Sequence, residues 1–373
     1  MKAATPLIFV NLARERAAHS ATPTPEAIEF HRRLPGYAPT PLVDAPELAS
    51  TLGLASLHIK DESARLGLPS FKILGASWAV YRLLVSRLGH EPSWHDVDEL
   101  RSALAPLGHL TLVAATDGNH GRAVARMARM LAFGARILVP RGTAAARITG
   151  IESEGANVTI IDGTYDDAVG ASAALASDDT LVVSDTSWEG YTDLPSWVID
   201  GYSTIFTEVD SQIDEPPDLV VVQMGVGALA AAAVEHYAAN ARVAVVEPLS
   251  AACGLRAAEA GHPVVVPGPH DSIMAGLNCG TVSIVAWPAL AHGVDVFVAI
   301  GDAAAEQAMR DLAAIGIVAG ETGGAGLAGL RALTEYGRDA GLDLLGQRAL
   351  VLCTEGATEP DAYQRIVGRR VAK

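Results

Sequence analysis

The sequence predicts an α/β protein built on open, mostly parallel, twisted sheets. Two observations predict it. From about residue 55 onward, short β-branched runs alternate with alanine-rich helical stretches, the pattern of successive βαβ units. The runs are nearly continuous in apolar residues, as strands are when helices cover both of their faces. A third observation concerns ligands. Several runs end in loops rich in glycine or small polar residues, and open parallel sheets bind ligands at the carboxyl ends of their strands.

Taken in order, the first 40 residues hold five prolines, within "TPTP" and the start of "APTP" among other places, and are expected to wrap a core rather than form one. Strands are then expected in "LASLHIK", "HLTLVAAT", "ARILVP", "NVTIID", "TLVVSD", "DLVVVQM", "ARVAVVEP", "VDVFVAI" and "RALVLCTEG". The loop "ATDGNHG" follows "HLTLVA", "MGVGAL" follows "DLVVVQ", and "CTEGATEP" follows "RALVL". Together with "GLPSFKILGAS" these loops are expected to wall one site.

Composition narrows the function. The 373 residues suffice for a sizeable core, and no apolar run approaches the length that spans a bilayer. The run "PLIFV" is too short for a secretory signal and is followed by "RER", so the expected compartment is the cytoplasm. A formal charge of -16 argues against nucleic acid and anionic membranes as partners. A small molecule is the expected ligand. Cys253, Cys279 and Cys353 show no CxxC spacing, and no metal site is expected of them.

Of 27 basic residues, the lysines are Lys2, Lys60, Lys72 and Lys373. Lys72, between Phe71 and Ile73, has the most apolar local sequence of the four. A chain that otherwise uses arginine, yet sets a lysine there, points to an amine that can lose its proton, which arginine cannot do. In "DLVVVQMGVGALAAAAVEHY" a strand runs through a tight loop, Gly225, Val226, Gly227, Ala228, into a helix whose free N–H groups suit phosphate. A plain βα turn would also use those glycines. For a dinucleotide fingerprint the third glycine is missing, although Glu247 stands at a suitable distance. A nicotinamide oxidoreductase is therefore the reading from a different class, and a non-catalytic binding protein a third. An amine that forms a Schiff base and a loop that holds phosphate are both what pyridoxal 5′-phosphate requires.

With "SFK" around Lys72 and "DGNHG" around Asn119, the chain resembles the fold type II, tryptophan synthase β-like family of pyridoxal-phosphate enzymes, from about residue 35 to about residue 368. Asp117 in place of that family's usual serine, with "SDTSWEGYTDLPSWVIDGY", "MGVGAL", "IMAGLNCG" and "CTEGATEP", is similar to the ammonia-lyases that act on 2,3-diaminopropionate. The resemblance implies a homodimer, with a large domain of residues 1–76 and 201–373 and a small domain of residues 77–200 that carries the "ATDGNHG" loop. It implies that Lys72 carries the cofactor, with Lys72 and Asp117 as bases on opposite faces of the substrate. Asn119 would bond the cofactor's 3′-oxygen, residues 225–228 its phosphate, and Thr354 its ring nitrogen. The substrate would meet Asp117, Gly118, Asp185 and Tyr191. For Asp117 the residues alone also allow a turn former, for Asp185 a helix N-cap, for Thr354 a simple turn hydroxyl, and for Trp188 and Tyr191 either core aromatics or a lid. His120 reads as a structural histidine. Cys253 and Cys279 are implied to lie close together. Elimination from a 3-hydroxy amino acid, or racemisation, would use the same lysine and phosphate loop.

Overall fold

A computed structural model describes residues 4–15, 25–116 and 118–371. The chain forms two compact units, Met1–Pro23 with Pro39–Ala64 and Ile205–Lys373, and Thr24–Ala38 with Arg65–Thr204.

The first unit holds a seven-stranded sheet of β1 (Leu7–Val10), β2 (Leu42–Asp44), β3 (Ser56–Asp61), β8 (Leu219–Gln223), β9 (Arg242–Pro248), β10 (Val296–Ile300) and β11 (Arg348–Cys353), in the order β1-β10-β9-β8-β11-β3-β2. The inner pairs are parallel, and the two edges, β1 on β10 and β2 on β3, are antiparallel. Every residue of β8 and β10 is buried, as their unbroken apolar runs require. The core on one side of the sheet gathers Leu219, Val221, Val246, Val298 and Val351 with Leu327 and Leu330 of the helix Ala325–Tyr336.

The second unit is built on four parallel strands, β4 (Thr111–Ala115), β5 (Gly134–Pro140), β6 (Asn157–Ile161) and β7 (Thr180–Val182), ordered β6-β5-β4-β7. The helix Asn119–Met130 follows β4, and the helix Lys72–Leu88 packs against it. An aromatic cluster of Phe30, Trp78, Tyr81 and Trp94 packs on the middle of the Lys72–Leu88 helix.

All nine expected strands are present. Two further strands, β1 in the proline-rich beginning and β2 just after it, are not predicted by the sequence pattern. The unit boundaries also differ from the expected 76/77 and 200/201, because residues 24–38 and 65–76 go with the smaller sheet. His31 shows why: its ring nitrogens contact Thr204 Oγ1 at 2.8 Å and Leu74 O at 3.0 Å, tying residues 25–32 to the Lys72 helix.

Candidate active site

Lys72 is the first residue of its helix, and its amine is half-buried rather than sealed in apolar surroundings. The apolar neighbours in sequence, Ile73 and Phe71, are buried, while the amine itself reaches Asp185 Oδ2 at 2.8 Å. Lys60 is the lysine that the fold buries completely, in the other unit, where it meets Glu208 at 2.7 Å, Thr40 O at 2.9 Å and Gln212 at 2.8 Å. That fully bonded amine is a structural ion pair.

Asp185 lies just beyond the end of β7, in a bend that no helix follows until Asp193. The N-cap reading of Asp185 therefore does not apply. Burial would push its carboxyl upward, but the charges of Lys72 and His120, with hydrogen bonds from Lys72 and Tyr165, hold it well below the usual carboxylate range. Tyr165 Oη stands 3.3 Å from Oδ1. His120 Nε2 sits 2.9 Å from the carbonyl of Val183, and since a carbonyl can only accept, Nε2 is the protonated nitrogen. Its Nδ1 faces Asp185 Oδ2 at 3.9 Å. The histidine thus ties the start of the Asn119–Met130 helix to the strand end beside Asp185, in keeping with a structural role.

Gly118 caps the Asn119–Met130 helix with φ of +154° and is buried; Asn119 is the first residue of that helix and half-buried. The hydroxyl of Thr116 accepts the N–H of Gly118 at 2.9 Å and of Gly121 at 3.1 Å, which fixes the loop. Arg147 presses on it, with Cδ 3.2 Å from where a Gly118 Cβ would stand. Asp117 lies outside the described residues.

Trp188 and Tyr191 stack face to face, centroids 4.2 Å apart, across the turn through Gly190. The Tyr191 hydroxyl donates to Val182 O at 2.9 Å and accepts from Ser184 N–H at 3.0 Å. Both of its hydrogen-bonding roles serve the backbone beside Asp185.

In the first unit, β8 runs into Gly225, Val226 and Gly227, and Ala228 opens the helix Ala228–Tyr237. Gly227 takes φ of +107°, and a Cβ there would stand 2.7 Å from Leu290 Cδ1. At Gly225 a Cβ would meet Gly276 O at 3.0 Å and Cys279 Sγ at 3.2 Å. No side chain fits at Gly225 or Gly227, so backbone N–H groups at a helix start form a cradle that suits a phosphate. Cys253, whose thiol donates to Gly225 O at 3.6 Å, and Cys279 both border Gly225 and are not joined in a disulfide. Thr354 is buried just past β11, its hydroxyl 3.5 Å from Thr322 O, a long contact that leaves the oxygen able to serve a ring nitrogen. Glu247 has no nucleotide role: its carboxylate accepts the N–H groups of Gly254 and Leu255 at 2.7 and 2.8 Å, capping the helix Cys253–Ala260.

An amine beside a carboxylate is what the aldehyde of pyridoxal phosphate requires, and a helix start flanked by glycines is what its phosphate requires. The family model described as pyridoxal-phosphate dependent enzyme matches residues 33–345, and the chain belongs to that family, with the fold type II architecture and pyridoxal phosphate as its cofactor. It is 35% identical to the diaminopropionate ammonia-lyase of Salmonella typhimurium over 92% of this chain and 91% of that one. Among solved structures it resembles the diaminopropionate ammonia lyase of Escherichia coli in complex with D-serine, at 32% identity and a TM-score of 0.90 with 97% of each chain covered. The same enzyme in complex with an aminoacrylate-PLP azomethine reaction intermediate matches at 31% identity and a TM-score of 0.87, again over 97% of each chain.

Tyr202, Tyr165 and Arg147 were not singled out in the sequence. A signal for Tyr202 exists in the glycines inside two helices, Gly75 and Gly201, which mark a close crossing.

Proposed function

We propose that this chain eliminates both amines of 2,3-diaminopropionate, giving pyruvate and two ammonia molecules. The observation that carries the reading is the Lys72–Asp185 ion pair, which sets a carboxylate ready for a second cation beside the amine that carries the cofactor. A substrate with a cationic β-amine suits that carboxylate. A hydroxyl substrate gives no return for its desolvation.

When bound, the cofactor withdraws electrons from the substrate's α-carbon. Lys72 holds it; the N–H groups of residues 225–228 receive its phosphate, Asn119 its 3′-oxygen, and Thr354 offers its ring nitrogen a neutral hydroxyl. The Gly118 loop, pinned by Thr116, orients the substrate carboxylate. Lys72 takes the Cα proton from one face and Asp117 from the other, so both enantiomers are substrates. Asp185 holds the β-ammonium group until it departs, with the Tyr191 ring packed beside it. The released enamine hydrolyses to pyruvate and the second ammonia. The enzyme acts as a cytoplasmic homodimer. Ammonia and pyruvate assays on D- and L-2,3-diaminopropionate, serine and threonine test this: two ammonia per pyruvate from diaminopropionate is expected, and a higher kcat/KM on serine or threonine overturns it.

A further inference from the structure

The helix Asp193–Gln212 crosses the Lys72 helix at two glycines. A Cβ on Gly75 would lie 2.6 and 2.7 Å from Cε1 and Cζ of Tyr202, and one on Gly201 would lie 2.6 Å from Leu74 O. The crossing presses the hydroxyl-bearing end of the Tyr202 ring against Gly75, one turn along from Lys72 and on the same helix face. The ring also packs on Phe71, centroids 4.7 Å apart. Tyr202 is fully buried, and among the described residues its hydroxyl has no hydrogen bond of ordinary geometry, only a looser contact with the Lys72 amine. A buried phenol left so costs stability, and phenylalanine would fill the same space without that cost. The hydroxyl therefore has another use.

We propose that Tyr202 is a positioning residue for the Lys72 amine: its hydroxyl is a second docking point that holds the amine when it leaves Asp185. An ammonium would donate to the phenol oxygen, and a neutral amine would accept from the phenol O–H, so the station serves either state. Burial, opposed by Lys72 and aided by Asp185, pushes the phenol well above its ordinary value, and it keeps its proton at working pH. The other groups around the amine are the carboxylate of Asp185, the imidazole of His120 and the phenol of Tyr165. The inference rests on Lys72 carrying the cofactor.

The test is Tyr202→Phe in the holoenzyme, read three ways. Thermal unfolding should be unchanged or raised. Charge-assisted hydrogen bonds are about twice as strong as neutral ones, so losing the hydroxyl penalises a protonated nitrogen more, and the pH midpoint of the cofactor's absorbance should fall by about 0.5–1 unit. With diaminopropionate, kcat should fall about tenfold with KM within about twofold, the mark of an interaction outside ground-state binding. Spectra that superimpose at every pH, or a melting point lowered by several degrees, overturn the proposal. Wild-type protein inactive on diaminopropionate would end the proposed function, and the absorbance titration would still decide Tyr202.

Discussion

The Lys72 ammonium and the Asp185 carboxylate stand 2.8 Å apart, joined across 113 residues of sequence, with the carboxylate side chain 7% exposed and the lysine side chain 21% exposed. A carboxylate so enclosed is ionised because the ammonium is there. Asp185→Asn removes the charge and keeps the shape, leaving Lys72 without its counter-ion. The folded-state value of Asp185 lies below the unfolded ~3.9. Its contribution to stability is therefore full above about pH 4 and lost as pH falls through the folded value. The stability difference between wild type and Asp185→Asn, read from urea midpoints, should be about 1–3 kcal/mol at neutral pH and shrink below about pH 4. A difference that grows on acidification would show that the pair is not ionised in the fold.

Lys72→Ala should abolish turnover of both enantiomers while the protein stays folded, since the amine proposed to carry the cofactor is gone. Borohydride treatment of the wild-type holoenzyme, followed by peptide mapping, should place the cofactor on Lys72. A labelled peptide elsewhere, or residual activity near wild type in the variant, contradicts the assignment.

Gly227→Ala tests the phosphate cradle. The added methyl would stand 2.7 Å from Leu290 Cδ1 on a backbone with φ of +107°. A non-glycine residue held there costs about 1–3 kcal/mol, and the displaced loop should lose the cofactor. Dialysis followed by absorbance should show depleted pyridoxal phosphate in the variant, with the fold intact by circular dichroism. Full retention would locate the phosphate elsewhere.

Much of this was legible beforehand. The inner strands announce themselves by unbroken apolar runs, and the loops at Gly118 and Gly225 by small residues after a strand. The edge strands β1 and β2 were not legible, because their three or four residues gain stability from a neighbour rather than from their own pattern. Lys60 was equally opaque: its partners Glu208 and Gln212 come from a helix about 150 residues away. Local sequence marked Lys72 as the apolar lysine, yet tertiary structure buries Lys60 more deeply. Pairings such as Lys72 with Asp185, or Tyr202 with Gly75, arise only from how strands and helices return to each other.

Glu247 should give the protein a second pH dependence, of opposite sign. Burial pushes its carboxyl up to about 7, against the lowering by the Gly254 and Leu255 N–H groups. The folded state thus binds a proton that the unfolded state has released, and this stabilises the fold less and less as pH rises from about 4.5 to about 7. Urea midpoints of the wild type should decline across that interval relative to Glu247→Gln, which cannot titrate. Parallel pH profiles for the two proteins would mean that the capping N–H groups cancel the effect of burial.

Asp117→Asn separates the two faces of the proposed chemistry. The substitution keeps the size of the side chain and its capacity to accept a hydrogen bond, but removes the proton acceptor between Thr116 and Gly118. If Asp117 is the base for the D isomer, kcat on D-2,3-diaminopropionate should fall by ~10²–10⁴, the usual cost of a lost general base. The L isomer, served by Lys72, should lose far less. Removing a negative charge near a cationic substrate is expected to raise KM for both isomers, so the comparison turns on kcat as well as kcat/KM. Equal losses in kcat for the two isomers would make Asp117 an orienting residue and leave the second base unassigned.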